Sequence, residues 1–402
     1  MPEQGVSGYG LRWADVDGSG ELNPSWTATP DILTIQTLAA AQLSLDPSDV
    51  RIEFFAEGAF NKLYSISSPK LEPQNYLMRV VLPVDPFFKT ESEVATMGFV
   101  RKHSSLPVPR VVAYSSSASN PLRFEWMLLE YVEGLPLSET WDEMSFDAKA
   151  DLSMEIRKYL GQLQDFDFSW IGNLYFSKVR EQVNGQPAEW LRHSTGDPEN
   201  DPEFVVGRLV SPWFFRDKCL FLNADRGPFQ SSCDLMLAKT DMQIERIKHL
   251  SPDPTDYYYC ELDEELAKDQ LDEHRVLHHD DLSVSNIILD PASFEISGII
   301  DWESVGIYPT WQASTVPYFL RGIEVAEPPP AGTPGVNEDS LVEIRKDWER
   351  VRLRRIYGDP VQQAYGCEPS VRQHEFAQNL EEIELRWTAA TYWLREISNN
   401  SA

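Results

Sequence analysis

From Asp31 the segment DILTIQTLAAAQLSL repeats apolar residues at helical spacing behind an acidic cap, which predicts a helix. The pattern then changes to alternation. VRIEFFAEGAFNKLYSISS alternates, breaks at Glu57-Gly58-Ala59 and resumes, which predicts strand, tight turn and strand. NYLMRVVLP predicts a third strand with Arg79 near its end. TESEVATMGFVRKHS returns to helical spacing, with Glu91 and Glu93 in its first half. LPVPRVVAYS and FEWMLLEYVEG predict two more strands across a serine-rich turn. Residues 50–133 are therefore expected to form a five-stranded sheet interrupted by one helix.

EYVEGLPL, broken by Gly134 and Pro136, connects to a second lobe whose pattern is mainly helical. FDAKADLSMEIRKYLGQLQ predicts a helix capped at Ser145. DLMLAKTDMQIERIKHL, LDEELAKDQLDEHR, SLVEIRKDWERVRLRRIYG and EFAQNLEEIELRWTAATYWLREI predict others. The aromatic stretches FDFSWIGNLYF, LVSPWFFRDKCLFL and RGPFQSSCDLM are expected to be packing hairpins, with substrate-facing loops as the alternative. Glu324 to Asp339, with three consecutive prolines, is expected to be a loop. The expected organisation is a flexible lead-in over 1–30, a sheet-containing lobe over 31–135 and a helical lobe over 136–402. The fold class is α+β.

The net charge of −29 over 402 residues argues against a nucleic-acid-binding or anionic-membrane surface. Cys219, Cys233, Cys260 and Cys367 are far apart without CxxC spacing, so neither a disulfide framework nor a zinc site is expected. No apolar run approaches the roughly 18 residues a spanning helix needs, and the acidic, Gly-rich start resembles neither a signal nor a transit peptide. A cytoplasmic setting is expected, with a mitochondrial one as the alternative.

The candidate chemistry lies in Leu277 to Glu303, LHHDDLSVSNIILDPASFEISGIIDWE. Asp281 and Asn286 occupy a polar turn that runs into the apolar strand IIL, and a second apolar run delivers Asp301. One carboxylate and one amide oxygen suit Mg²⁺, which usually keeps open positions for water and phosphates, so Asn286 and Asp301 are the expected metal ligands. Phosphoryl transfer also needs a carboxylate to orient the attacking hydroxyl and accept its proton, and Asp281 suits that role. His279 is expected to buttress the loop through backbone hydrogen bonds. In the first lobe, the turn Gly58-Ala59-Phe60-Asn61 can lay backbone N–H groups over phosphates. Arg79 can supply a permanent cation there, oriented by Glu93.

These residues carry a resemblance. HHDDLSVSNIILD followed by ISGIIDWE is similar to the His-x-Asp-Leu-x-x-x-Asn loop and Ile-Asp-Trp-Glu strand of the aminoglycoside phosphotransferases, the kinase-like small-molecule kinases. It matches at His279, Asp281, Leu282, Asn286, Asp301, Trp302 and Glu303, and EGAFNKLYSI, YLMRVV and SEVATMGFVRKHSSLPVPRVVAY extend it to the first lobe. LVSPWFF and RGPF resemble fungal members described as altered-inheritance-of-mitochondria proteins. The resemblance implies a protein-kinase-like bilobal fold, ATP between the lobes and a hinge at Glu130 to Val132 that bonds adenine. It also implies Mg²⁺ on Asn286 and Asp301, and transfer to a small-molecule hydroxyl. An acidic second lobe, Glu303 included, suits an amine-bearing acceptor such as an aminoglycoside or choline-like alcohol. Arg79, where the family commonly has lysine, and a glycine-poor hairpin keep open a nucleotide-binding pseudokinase or scaffold. A metal phosphohydrolase built on His279-Asp280 would need a helical context that DLSVSN does not offer.

Overall fold

A computed structural model describes residues 9–14, 22–181, 191–192, 201–250, 274–329 and 337–358. Leu11–Ala14 (β1) and Asn23–Trp26 (β2) pair as an antiparallel ribbon. This corrects the expectation of a flexible lead-in for its described residues. Leu11, Trp13 and Trp26 pack with Leu82, Val84 and Phe215, burial that a polar, Gly-rich composition conceals. Helix α1 (Ile32–Leu43) starts where expected, with the Asp31 carboxylate accepting from the Thr34 N–H at 2.9 Å.

The sheet of the smaller lobe has Arg51–Glu57 (β3), Asn61–Ser67 (β4), Tyr76–Val81 (β5), Val111–Ser115 (β6) and Glu125–Glu130 (β7). They pair antiparallel in the order β3-β4-β5-β7-β6, with Phe88–His103 (α2) inserted between β5 and β6. Strand alternation sorts the two faces. Met78 and Val80 join Ile35, Ala39, Tyr64 and Ile66 in the core beneath α1. Val81 and Met127 join Val94, Met97 and Phe99 of α2 in the core that continues into the larger lobe. Arg79, between Met78 and Val80, is thereby aimed at the α2 side.

Helix α2 is buried along most of its length, from Lys89 to Val100 with one exception, because it is covered twice. The sheet lies on one side. On the other lie Asn173–Phe176 (β8) and Phe204–Gly207 (β9), an antiparallel pair whose Phe204 meets Phe99 edge-on at 5.3 Å. Its first turn is capped from the sheet: Glu125 accepts from the Phe87 N–H at 2.6 Å and from the Thr90 hydroxyl. A carboxylate at that end also opposes the helix dipole favourably.

The crossing to the larger lobe passes Gly134, at φ +138°, where a Cβ would stand 2.4 Å from the Leu289 carbonyl oxygen. Leu135 and Pro136 then pair with Leu289 and Ile288. This lobe contains the long helices Phe146–Gln164 (α3), Ser232–Leu250 (α4) and Glu338–Tyr357 (α5). The Ser145 cap holds, its hydroxyl accepting from the Ala148 N–H at 3.2 Å. The aromatic stretches pack as expected: Phe166, Phe168 and Leu174 lie in the main core, and Leu209, Phe214 and Phe229 in a cluster beside it. Two antiparallel pairs carry the candidate loop, Arg275–His279 (β10) with Val305–Pro309 (β13), and Ile287–Leu289 (β11) with Ile296–Ile299 (β12). The helix expected over 262–275 lies outside the described residues up to 273, and Arg275 belongs to a strand. The helix expected over 375–397 lies outside them altogether. The architecture is α+β in two lobes, an antiparallel sheet with helices followed by a mainly helical lobe.

Candidate functional site

Between β10 and β11 the chain turns through Asp281 and Asn286. The Asn286 amide donates to the Asp281 carbonyl at 2.8 Å and to its carboxylate at 3.1 Å, so one side chain fixes both the loop backbone and the acid. With its nitrogen committed, the amide oxygen of Asn286 is the atom left for a ligand. The Ile300 N–H donates to the Asn286 carbonyl at 2.9 Å, which brings Asp301, one residue on, beside this turn. Asp301 sits at φ +64°, ψ +64°, left-handed space that only short polar side chains and glycine visit readily.

Burial raises the Asp281 carboxyl above its usual range, Asn286 pulls it down, and Asp280 and Glu303 push it up. Burial also raises Asp301, with Glu303 adding to the rise, Arg79 and Lys89 opposing it, and Asp281 contributing. Each of these two acids therefore senses the other's surroundings. His279 is buried and held down to about 4 by burial, with a further push from His278. Its Nε2 lies 3.4 Å from the Ile300 carbonyl and its ring meets Trp302 at 5.0 Å, so it packs behind the loop.

Arg79 ties the lobes together. Its Nη1 donates to Glu93 on α2, and its Nη2 donates to Glu303 and, at 3.1 Å, to Asp301. Burial would lower the guanidinium, but Glu93, Glu303 and Asp301 outweigh it and raise it. The expected Arg79–Glu93 pair is thus present, with two further acids from the other lobe. Glu303 is the hub: one oxygen, Oε2, accepts from Arg79, from Lys89 at 2.6 Å and from Asn61 at 2.6 Å. Burial opposes its charge, yet Lys89 and Arg79 hold it down to about 2. Burial drives Glu93 the other way, up to about 7, against Arg79 and Lys89. Glu303 therefore does not face an acceptor; it is the counter-ion of two buried cations, which corrects its expected place among acids that attract an amine.

The hairpin turn is split in its commitments. Gly58 and Ala59 are exposed, Gly58 has open space around it, and its N–H closes the turn on the Asn61 carbonyl at 2.9 Å. Phe60 packs edge-on against Phe215 at 5.5 Å. Asn61 is drawn inward to Glu303, leaving its buried Oδ1 without a partner. At the hinge, the Glu130 side chain faces outward to Arg110 at 2.7 Å, and its N–H donates to the Arg110 carbonyl. The Tyr131 N–H donates to the Asn75 carbonyl. Val132 packs over Gly298, where a Cβ would stand 2.7 Å away.

Lys89 escaped the sequence reading, which began the helix at Thr90. The signal was there: Lys89 and Glu93 are four apart and share a helix face. Glu125 was equally hidden, because a cap supplied from another element leaves no local pattern.

Mg²⁺ fits this donor chemistry, since Asp301 keeps its side chain 35% exposed and Asn286 offers an amide oxygen. Among the described residues no group of three or more His, Cys, Asp or Glu is placed to hold a metal unaided. Oxygens beyond these two side chains, such as those of water or phosphate, would complete the shell.

A family model described as phosphotransferase enzyme family matches residues 51–312. A subtelomeric hrmA-associated cluster protein of Aspergillus fumigatus is 27% identical over 318 residues, covering 66% of this chain and 60% of that protein. Altered inheritance of mitochondria protein 9, mitochondrial, of Zygosaccharomyces rouxii is 26% identical over 212 residues, covering 49% and 34%. The chain thus spans less than two thirds of the length of these curated relatives. Among solved structures, a thermostable mutant of aminoglycoside phosphotransferase APH(4)-Ia with ADP and hygromycin B is 13% identical, with a TM-score of 0.42 and coverage of 91% and 97%. No helix among the described residues is long and apolar enough to cross a membrane. With well over half of its length matched by the family model, the chain belongs to the phosphotransferase enzyme family.

Proposed function

We propose that this protein is an ATP- and Mg²⁺-dependent phosphotransferase that moves the γ-phosphate to a hydroxyl of a small molecule. The observation that carries this reading is the convergence on Arg79. Glu93 from α2, and Asp301 and Glu303 from beyond β12, meet on one guanidinium, beside the turn that holds Asp281. Packing alone does not require so many charges, since burying them is costly unless each is paired.

In this reading Asp281 orients the acceptor hydroxyl and takes its proton. Its raised carboxyl is a better base than an ordinary aspartate. Asn286 holds that carboxylate through its amide N–H and offers its Oδ1, with Asp301, to the metal. Mg²⁺ held by these two residues would supply positive charge against the phosphates. The Gly58 N–H is used within the turn, so the hairpin covers the phosphates with the Ala59 and Phe60 N–H groups, and the Glu130–Val132 hinge meets the adenine. The Glu130 and Tyr131 N–H groups are already used within the sheet, so the Val132 N–H is the donor the hinge offers. The acceptor in this reading is a small-molecule alcohol of the aminoglycoside, choline or related type.

A nucleotide-binding scaffold is the second reading, favoured by the saturation of Arg79 with carboxylates. The two separate on one experiment: Mg²⁺-ATP turnover across a panel of hydroxyl compounds, for wild type and Asp281→Asn. The phosphotransferase reading expects transfer to fall by at least about 10³-fold in the variant with ATP affinity nearly intact. ATP binding without turnover, unchanged by the substitution, establishes the scaffold instead.

A further inference from the structure

The cation that the family pattern assigns to the phosphates is already committed. A guanidinium has two N–H groups on each terminal nitrogen. Counting Nε, Arg79 has five N–H donors and three are in use, both on Nη2 to Asp301 and Glu303 and one on Nη1 to Glu93, so what commits it is the three acids it serves at once. Turning Arg79 toward a phosphate would strip three acids, two of them deeply buried, of their shared counter-ion.

Lys89 is placed differently. Its ammonium has three donors, and the structure records one hydrogen bond for it, to Glu303 at 2.6 Å. The side chain is 3% exposed and its Nζ lies 5.9 Å from the Phe60 ring centroid, directly against the turn whose Gly58 and Ala59 are open. Should Lys89 shift toward an anion, Glu303 keeps Arg79 and Asn61.

We propose that Lys89, and not Arg79, contacts the phosphates of the bound nucleotide, and that Arg79 is a positioning residue that fixes Glu93 and Asp301. The inference rests on the nucleotide-binding reading above. A lysine suits the task as a compact charge on a flexible stem, whereas the planar fork of arginine suits holding several carboxylates at once. The α2 segment thus supplies both the cation and, four residues on, the acid facing Arg79.

The test compares Mg²⁺-ATP with adenosine, which lacks phosphates, by calorimetry on the full chain, with melting by circular dichroism as the check on folding. Wild type is expected to bind ATP more tightly than adenosine. Lys89→Met should lose about 10- to 100-fold in ATP affinity with adenosine unchanged, the loss of one charge-assisted hydrogen bond. Lys89→Arg should recover part of it. Arg79→Lys should melt lower yet keep the ATP-to-adenosine ratio within about threefold. If Lys89→Met folds and keeps the wild-type ratio, or if Lys89→Met melts out while Lys89→Arg and Lys89→Gln bind ATP as wild type does, the assignment to Lys89 is overturned. A wild type that binds no ATP overturns the phosphotransferase reading, and this inference with it.

Discussion

Glu303→Gln tests whether the inter-lobe charge cluster holds the fold together. Two cations, Arg79 and Lys89, face three acids, Glu93, Asp301 and Glu303, and a single Glu303 oxygen takes three donors. Removing one member of a buried pair typically costs about 3–5 kcal/mol. The carboxyl's own preference for the charged form, from an ordinary 4.5 down to about 2, corresponds to about 3 kcal/mol. Relief returns some of this, because Glu303 repels Glu93 and Asp301, and glutamine keeps one acceptor for three donors. The expected loss at pH 7 is therefore about 2 kcal/mol. It has a pH signature. A carboxyl lowered by folding contributes fully above about pH 4.5 and loses that contribution as pH falls toward 2. Urea denaturation followed by tryptophan fluorescence at pH 7 and pH 4 measures both. A variant as stable as wild type at pH 7, or a difference that grows on acidification, would refute the hub.

Other residues give sharper local tests. His279 is held down to about 4 instead of its ordinary 6.5, so its own contribution to wild-type stability should fall by about 3 kcal/mol between those pH values, the sense expected of a group lowered by folding. His279→Leu should flatten that fall in urea titrations taken at pH 7 and pH 4.5. Glu125→Ala removes the acceptor for the Phe87 N–H and the Thr90 hydroxyl, and should cost about 1–2 kcal/mol, with faster amide exchange in the first turn of α2. Gly134→Ala drives a methyl against the Leu289 carbonyl at a positive φ. It should cost on the order of 2–3 kcal/mol, against a small change for Gly58→Ala, which has open space.

The parts of the fold that announce themselves are those with local signals. Asp31 and Ser145 cap their helices, the β3–β4 hairpin breaks at Glu57-Gly58-Ala59, and the strands around Asp281 and Asp301 read as apolar runs. The spacing of Asp281, Asn286 and Asp301 was legible because a short turn and two short strands fix it. What stayed hidden depends on partners distant in sequence. Asn61 and Glu303 are 242 residues apart and Arg79 and Glu303 are 224 apart, so nothing local marked Glu303 as a counter-ion or Asn61 as its donor. The ribbon near the N-terminus was missed for the same reason: Leu11 and Trp26 find their cover in Leu82 and Phe215.

The cap from Glu125 has a consequence for control. Helix α2 carries Lys89 and Glu93, is roofed by the sheet on one side and by the β8–β9 pair on the other, and has its first turn tied to β7. Swinging it outward as a switch would strip the cap, part Arg79 from Glu93 and wet a face lined by Phe99 and Met97 at once. The smaller lobe is accordingly built in its assembled setting.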